Sequence, residues 1–173
     1  MASSSIARED LPERPIEAAR QIVLEGFLPY RLNVLATVVS NALAQIYAER
    51  FDLTIPGWRV VATLGQYGVR TARDIATHAV MHKSTVSRAV SALEARGLVA
   101  RRLNREDRRE ELLELTADGR RIYDALVPEA LAFEASLGSV LTVAEQQVLM
   151  LLIDKLDGRA RVLAPRSLPD AAP

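Results

Sequence analysis

The chain has 173 residues, about half apolar and a quarter charged, with few aromatics, so Ala, Leu and Val supply the apolar mass. That composition favours packed helices over a β-sandwich. The absence of cysteine excludes disulfides, thiolate metal sites and thiol-based redox sensing. No apolar run is long enough to span a bilayer and no signal-peptide pattern opens the chain, so a cytoplasmic location and no membrane contact are expected. Formal net charge is zero, yet residues 82–109 hold Lys83, Arg88, Arg96, Arg101, Arg102, Arg105, Arg108 and Arg109 against Glu94, Glu106 and Asp107. A segregated basic segment in a neutral chain fits one specialised binding face.

Residues 1–14 are rich in Ser and charge, and 164–173 carry Pro165 and Pro169 among small residues. Both are expected to be disordered tails. From residue 15 to about 51 the pattern is helical, with Pro15 suited to a first turn and Pro29 expected to break or kink the helix. The stretch 32–47 is almost wholly Leu, Val, Ala and Ile, interrupted by Asn33, Ser40, Asn41 and Gln45. A helix apolar on most sides needs partners on most sides. A second copy of the chain is the simplest supply.

Thr54, Ile55 and Pro56 read as a cap followed by an early-helix proline. Trp58, Val60, Val61 and Leu64 mark a short helix ending near residues 65–68. Thr71 with Asp74 three positions later resembles a capping box, and the helix it opens carries Ile75 and Ala76. A third helix is predicted over 83–96, stopped by Gly97. Three short helices, the last two joined by a tight turn, form a helix-turn-helix. After Gly97 the period changes: 98–103 and 111–115 are β-compatible and flank a polar loop, which predicts a β-hairpin wing. Thr116 caps a further helix to about residue 135. Thr142 and Glu145 form a capping box for a last helix bearing Val148, Leu149, Leu152, Ile153 and Leu156.

On a helical wheel of 83–96, Val86, Ala89, Val90 and Leu93 fall on one side and should pack inward. Ser84, Ser87, Arg88 and Ser91 fall on the other. Short hydroxyls with one long arginine suit close entry into a major groove, because bulky side chains would hold the helix off the base edges. Serine bonds phosphate or base, and arginine can take guanine O6 and N7 together. The wing adds Arg105, Arg108 and Arg109, cations suited to the narrow minor groove. Asp107 fits as an acceptor that fixes the direction of Arg109.

The run from Lys83 to Val99, KSTVSRAVSALEARGLV, resembles the recognition helix and first wing strand of MarR-type regulators. Asp107-Arg108-Arg109, followed by Leu115-Thr116 and Gly119, is similar to that family's wing signature in spacing. Asn104-Arg105-Glu106 departs from the Asp-Pro pair common there. The resemblance implies a homodimer whose two winged heads read a pseudo-palindromic double-stranded DNA operator, with Ser84, Thr85, Ser87 and Arg88 facing the major groove and Arg109 the minor groove. The expected DNA-binding set is Lys83, Ser84, Thr85, Ser87, Arg88, Ser91, Arg105, Asp107, Arg108 and Arg109.

Many members of that family are repressors released by small aromatic or anionic ligands, which implies an effector near Tyr30, Arg31, Asn33, Trp58, Tyr67 and His78. Arg31 could pair with a carboxylate, and Tyr30 and Trp58 could form aromatic walls. The stretch 27–33 is also similar to members that control aromatic-acid degradation, some of which sense an aromatic acyl-CoA thioester. His78 and His82 stand four apart, but Ala79 follows His78 and no third ligand is evident, so no metal or other cofactor is expected. Neither a Gly-rich phosphate loop nor a Gly-x-Ser-x-Gly elbow is present, which argues against an enzyme.

The expected architecture is mainly α with a small β-hairpin wing: a winged helix-turn-helix plus a helical dimerisation region. Residues 1–14 form a tail, 15–53 the N-terminal dimerisation helices, 54–115 the winged head, 116–163 the C-terminal dimerisation helices and 164–173 a second tail. The expected function is transcriptional regulation, with a ligand-independent architectural DNA-binding protein as the alternative.

Overall fold

The structure is a computed structural model that describes residues 21–104 and 110–164. The expected tails, apart from Ala164, lie outside the described residues. The chain runs through a 3-10 turn at Leu24–Gly26, α1 (Leu28–Phe51), α2 (Ile55–Tyr67), β1 (Arg70–Thr71), α3 (Ala72–His78), α4 (Lys83–Ala95), β2 (Val99–Leu103), β3 (Glu111–Leu115), α5 (Ala117–Gly138) and α6 (Val143–Leu163). It divides into two compact units between Ala42 and Leu43.

In the first unit the chain enters α1 abruptly. Residues 21–27 are not α-helical, contrary to the continuous helical pattern expected there, and Pro29 sits in the first turn of α1. Its missing N–H is one the first turn would leave unpaired anyway, so the proline starts this helix and does not kink it. Arg31 N–H closes the first turn on Phe27 O at 3.1 Å. Leu28, Leu32, Leu35 and Val38 are all exposed.

The second unit is built around Tyr47, Leu53, Val60, Val61, Leu64, Ile75, Val86, Val90, Leu93, Val99, Leu113 and Leu126, all buried. Each helix start has a local cause. Thr54 accepts from Gly57 N–H at 3.1 Å, with Pro56 in the first turn of α2. Thr71 and Asp74 close a reciprocal capping box: Thr71 N–H donates to Asp74 Oδ2 at 3.0 Å and Asp74 N–H to Thr71 Oγ1 at 3.1 Å. The Thr71 amide first, and then the Thr71 hydroxyl beside the carboxylate, hold the Asp74 carboxyl below its usual pKa. Thr142 and Glu145 repeat the arrangement at α6.

The wing is larger than the expected hairpin. β3 pairs with β2 from Val99↔Leu115 to Leu103↔Glu111, and on its other edge with β1 through Arg70↔Leu113 and Thr71↔Leu112. The result is a three-stranded antiparallel sheet in the order β1-β3-β2. Two residues are too few to show a period of two, so β1 leaves no pattern in the sequence. α5 runs three residues beyond the expected end and carries Pro128 inside it. One lost backbone donor does not end a helix whose flanking turns remain bonded. Along α6, Val148, Leu149, Leu152, Ile153 and Leu156 are exposed.

Candidate nucleic-acid interface

α3 and α4 are joined by Ala79–His82, a turn closed by Ala79 N–H to Ile75 O and Met81 N–H to Ala76 O, both 2.9 Å. Val80 stands in this turn at φ +50° with its side chain exposed. A β-branched residue is strained in that region and is held there by the bonds on either side of it. His82 caps α4: its carbonyl accepts from Thr85 and Val86 N–H at 2.9 and 3.1 Å, and Nδ1 accepts from Ser84 N–H at 3.4 Å. This accounts for His82 as the start of the helix. Among the described residues, no group of three or more His, Cys, Asp or Glu side chains could hold a metal ion.

The two faces of α4 separate as the wheel requires. Val86, Ala89, Val90 and Leu93 are buried, whereas Lys83, Ser84, Ser87, Arg88 and Ser91 are exposed on the other face. Thr85 is half-buried, so it belongs to the edge of this face. The Ser84 hydroxyl lies 2.8 Å from His82 Nδ1, which orients it without withdrawing it from solvent. The exposed surface is thus narrow, hydroxyl-rich and carries the Arg88 guanidinium, a donor set matched to phosphate oxygens and base edges.

Not all of the basic segment belongs to such a surface. Arg101 donates from Nε to Glu94 at 2.9 Å and from Nη1 to Glu111 at 2.6 Å, tying α4 to the wing. Arg102 pairs with Glu114 across the strands at 3.0 Å. Arg96 donates to two backbone carbonyls, Phe51 O at 2.6 Å and Asp52 O at 2.7 Å. These three cations hold the head together. The charge count did not distinguish them from cations available to a partner; the one signal for Arg96 was its place beside the terminating Gly97, where cations cap helix ends. Arg105, Asp107, Arg108 and Arg109 lie outside the described residues.

The six expected effector residues fall into separate groups. In the first unit, Tyr30 and Arg31 line a groove of about 500 Å³ with Glu25, Val34, Leu35 and Val38. Asn33 does not line this groove; its carbonyl takes the Thr37 hydroxyl at 2.8 Å. In the second unit, Trp58 stacks on buried Tyr47 with ring centroids 5.5 Å apart and packs against the core. Burial pushes the Tyr47 phenol pKa up, and the Arg59 charge opposes it. Tyr67 and His78 meet edge to face at 4.9 Å in an open cleft of about 680 Å³ that also presents Arg70, Arg73 and Thr77. Arg70 lies over the Tyr67 ring at 5.6 Å. His78 also borders a smaller hollow beside Trp58.

Residues 53–110 match the MarR family. An uncharacterized HTH-type transcriptional regulator of Bacillus cereus is 30% identical over 132 residues, 76% of this chain and 88% of the relative. A MarR family transcriptional regulator from Silicibacter pomeroyi superposes with a TM-score of 0.67 at 32% identity, covering 79% of this chain and 91% of that one. BpsR of Bordetella bronchiseptica, whose DNA binding is regulated by 6-hydroxynicotinic acid, superposes with a TM-score of 0.62 at 25% identity over 73% of this chain and 98% of its own. With the helix-turn-helix, the three-stranded wing and these relatives together, the chain belongs to the MarR family of DNA-binding transcriptional regulators.

Proposed function

We propose that this regulator is a homodimeric repressor that reads a pseudo-palindromic duplex and is released by a small aromatic or anionic ligand, an aromatic acid or its CoA thioester. The observation that carries the DNA half is the exposed face of α4, where Ser84, Ser87, Arg88 and Ser91 stand opposite a fully buried apolar face. Lys83, Thr85 and the wing residues Arg105, Asp107, Arg108 and Arg109 complete the proposed contact set. Residues 54–115 form the head in this reading, and 15–53 with 116–163 pair the two copies. Two heads on a two-fold axis engage major grooves about 34 Å apart. A ligand that favours another head spacing lowers operator affinity by population shift.

The ligand half is supported by aromatic and cationic side chains gathered in two hollows, Tyr30 with Arg31 and Tyr67 with His78 and Arg70. An aromatic carboxylate would stack on the rings and pair with a guanidinium. BpsR, with its response to 6-hydroxynicotinic acid, is a relative that answers to such a ligand.

The test is a gel-shift titration with genomic fragments selected by the purified protein, run against unrelated competitor DNA at physiological salt, then repeated with 6-hydroxynicotinate, other aromatic acids and their CoA esters. A discrete band that survives competitor and dissolves with one of these ligands is the expected result. A band insensitive to all of them favours ligand-independent binding, and no surviving band contradicts the reading.

A further inference from the structure

We propose that Arg96 is the positioning residue that sets the angle of the recognition helix α4 against the end of α1. The proposal rests on the reading of α4 as the DNA-contacting helix. Two helix C-termini meet here. α1 ends with Asp52 at φ +48°, its N–H bonded to Ala48 O at 3.0 Å. α4 ends with Gly97 at φ +68°, whose N–H reaches Glu94 O at 2.9 Å while Leu98 N–H reaches Leu93 O at 2.9 Å. Both ends present carbonyls at the negative pole of a helix dipole. Arg96 lies between them and gives one guanidinium nitrogen to Phe51 O and the other to Asp52 O.

The rest of α4 is held differently. Its buried side chains pack against α2, α3 and β2, which sets its crossing angle only to within about 15–20°, and the Glu94–Arg101 bond holds it to the wing. A planar guanidinium bonded at two points fixes direction as well as distance. Reading base edges requires placement within about 0.5 Å and 10–20°. The fork on Phe51 and Asp52 therefore supplies what the apolar face lacks. It also makes any movement of the α1 end a movement of the helix that bears Ser84, Ser87 and Arg88.

Arg96→Lys and Arg96→Gln test this, with the selected operator, the same operator with one base pair inserted at its centre, and a scrambled duplex. Lysine keeps the charge and loses the fork. Both variants should keep wild-type helical circular dichroism, because Arg96 is exposed and lies outside the buried apolar core. Affinity for the operator should fall about tenfold, of the order lost with one charged hydrogen bond. Affinity of Arg96→Lys for the scrambled duplex should stay unchanged, and the penalty for the inserted base pair should shrink in both variants. Full rescue by lysine, an equal loss on operator and scrambled duplex, or unfolding of both variants would overturn the proposal. Absence of a specific complex with the wild-type protein would overturn the regulator reading and this proposal with it, whereas a wild-type complex whose specificity survives Arg96→Lys overturns this proposal alone.

Discussion

Asp74 does two jobs at one position: it accepts the Thr71 amide and its own amide is accepted by the Thr71 hydroxyl. The carboxylate is favoured over the acid in the folded state, so its pKa lies below the unfolded value. Stability from this group is then fully present above the unfolded pKa of about 4 and is lost as pH falls through the folded pKa. Asp74→Asn should therefore be less stable than wild type at pH 7, and the two thermal midpoints should converge as pH drops below about 4. Midpoints that remain equally separated at pH 2 would contradict the cap. The arginines make a similar point about neighbours. Arg88 has no ion-pair partner among the described residues, whereas Arg101 is shared between Glu94 and Glu111. The two have the same side chain on nearby positions, and their partners separate them into a cation offered to solvent and one engaged in bracing the wing.

At the scale of elements, the contact between the α4–β2 turn and the start of α5 sets the tightest constraint. Thr116 donates from N–H to Leu98 O at 3.1 Å and from its hydroxyl to Gly97 O at 2.6 Å, and caps α5 by accepting from Gly119 N–H at 3.1 Å. A Cβ at residue 119 would lie 2.0 Å from Leu98 O, a backbone atom that cannot rotate aside. Gly119→Ala should cost about 1–3 kcal/mol, as overpacking does, read as a lower unfolding midpoint in urea with an unchanged slope. A midpoint within error of wild type would mean that α5 can lift away from Leu98. The elements that were legible in the sequence are those with local causes. Thr71–Asp74 and Thr142–Glu145 announce helix starts by spacing, and Val86, Ala89, Val90 and Leu93 announce a buried face by period. What was not legible depends on chain brought from far away. Arg70 pairs with Leu113, Arg96 reaches Phe51, and Tyr67 meets His78. No spacing rule connects those residues. The stacking of Trp58 on Tyr47 is likewise announced by no spacing rule.

For the whole molecule, the exposed apolar residues support the proposed pairing of two copies. Leu28, Leu35 and Val38 on α1 and Val148, Leu149, Leu152, Ile153 and Leu156 on α6 face solvent in the single chain. Leaving such a set in water forgoes about 25 cal/mol for each Å² that could be buried, and large apolar patches mark partner surfaces. The proposed cover for these side chains is a second copy of the chain. Sedimentation equilibrium should give twice the chain mass of 19.0 kDa, and Leu152→Glu should shift it toward a single chain and remove operator binding. A wild-type mass of one chain, or a Leu152→Glu dimer, would contradict this. The central claim is that the exposed face of α4 reads base sequence. It is tested most directly by fluorescence-anisotropy titrations of wild type and Arg88→Ala on the selected operator and a scrambled duplex, each at several salt concentrations. The account predicts that Arg88→Ala lowers the ratio of operator to scrambled affinity by about tenfold or more, the worth of one bidentate base contact, while scrambled binding and its salt slope stay near wild type. An equal loss on both duplexes, or no loss on either, would contradict it.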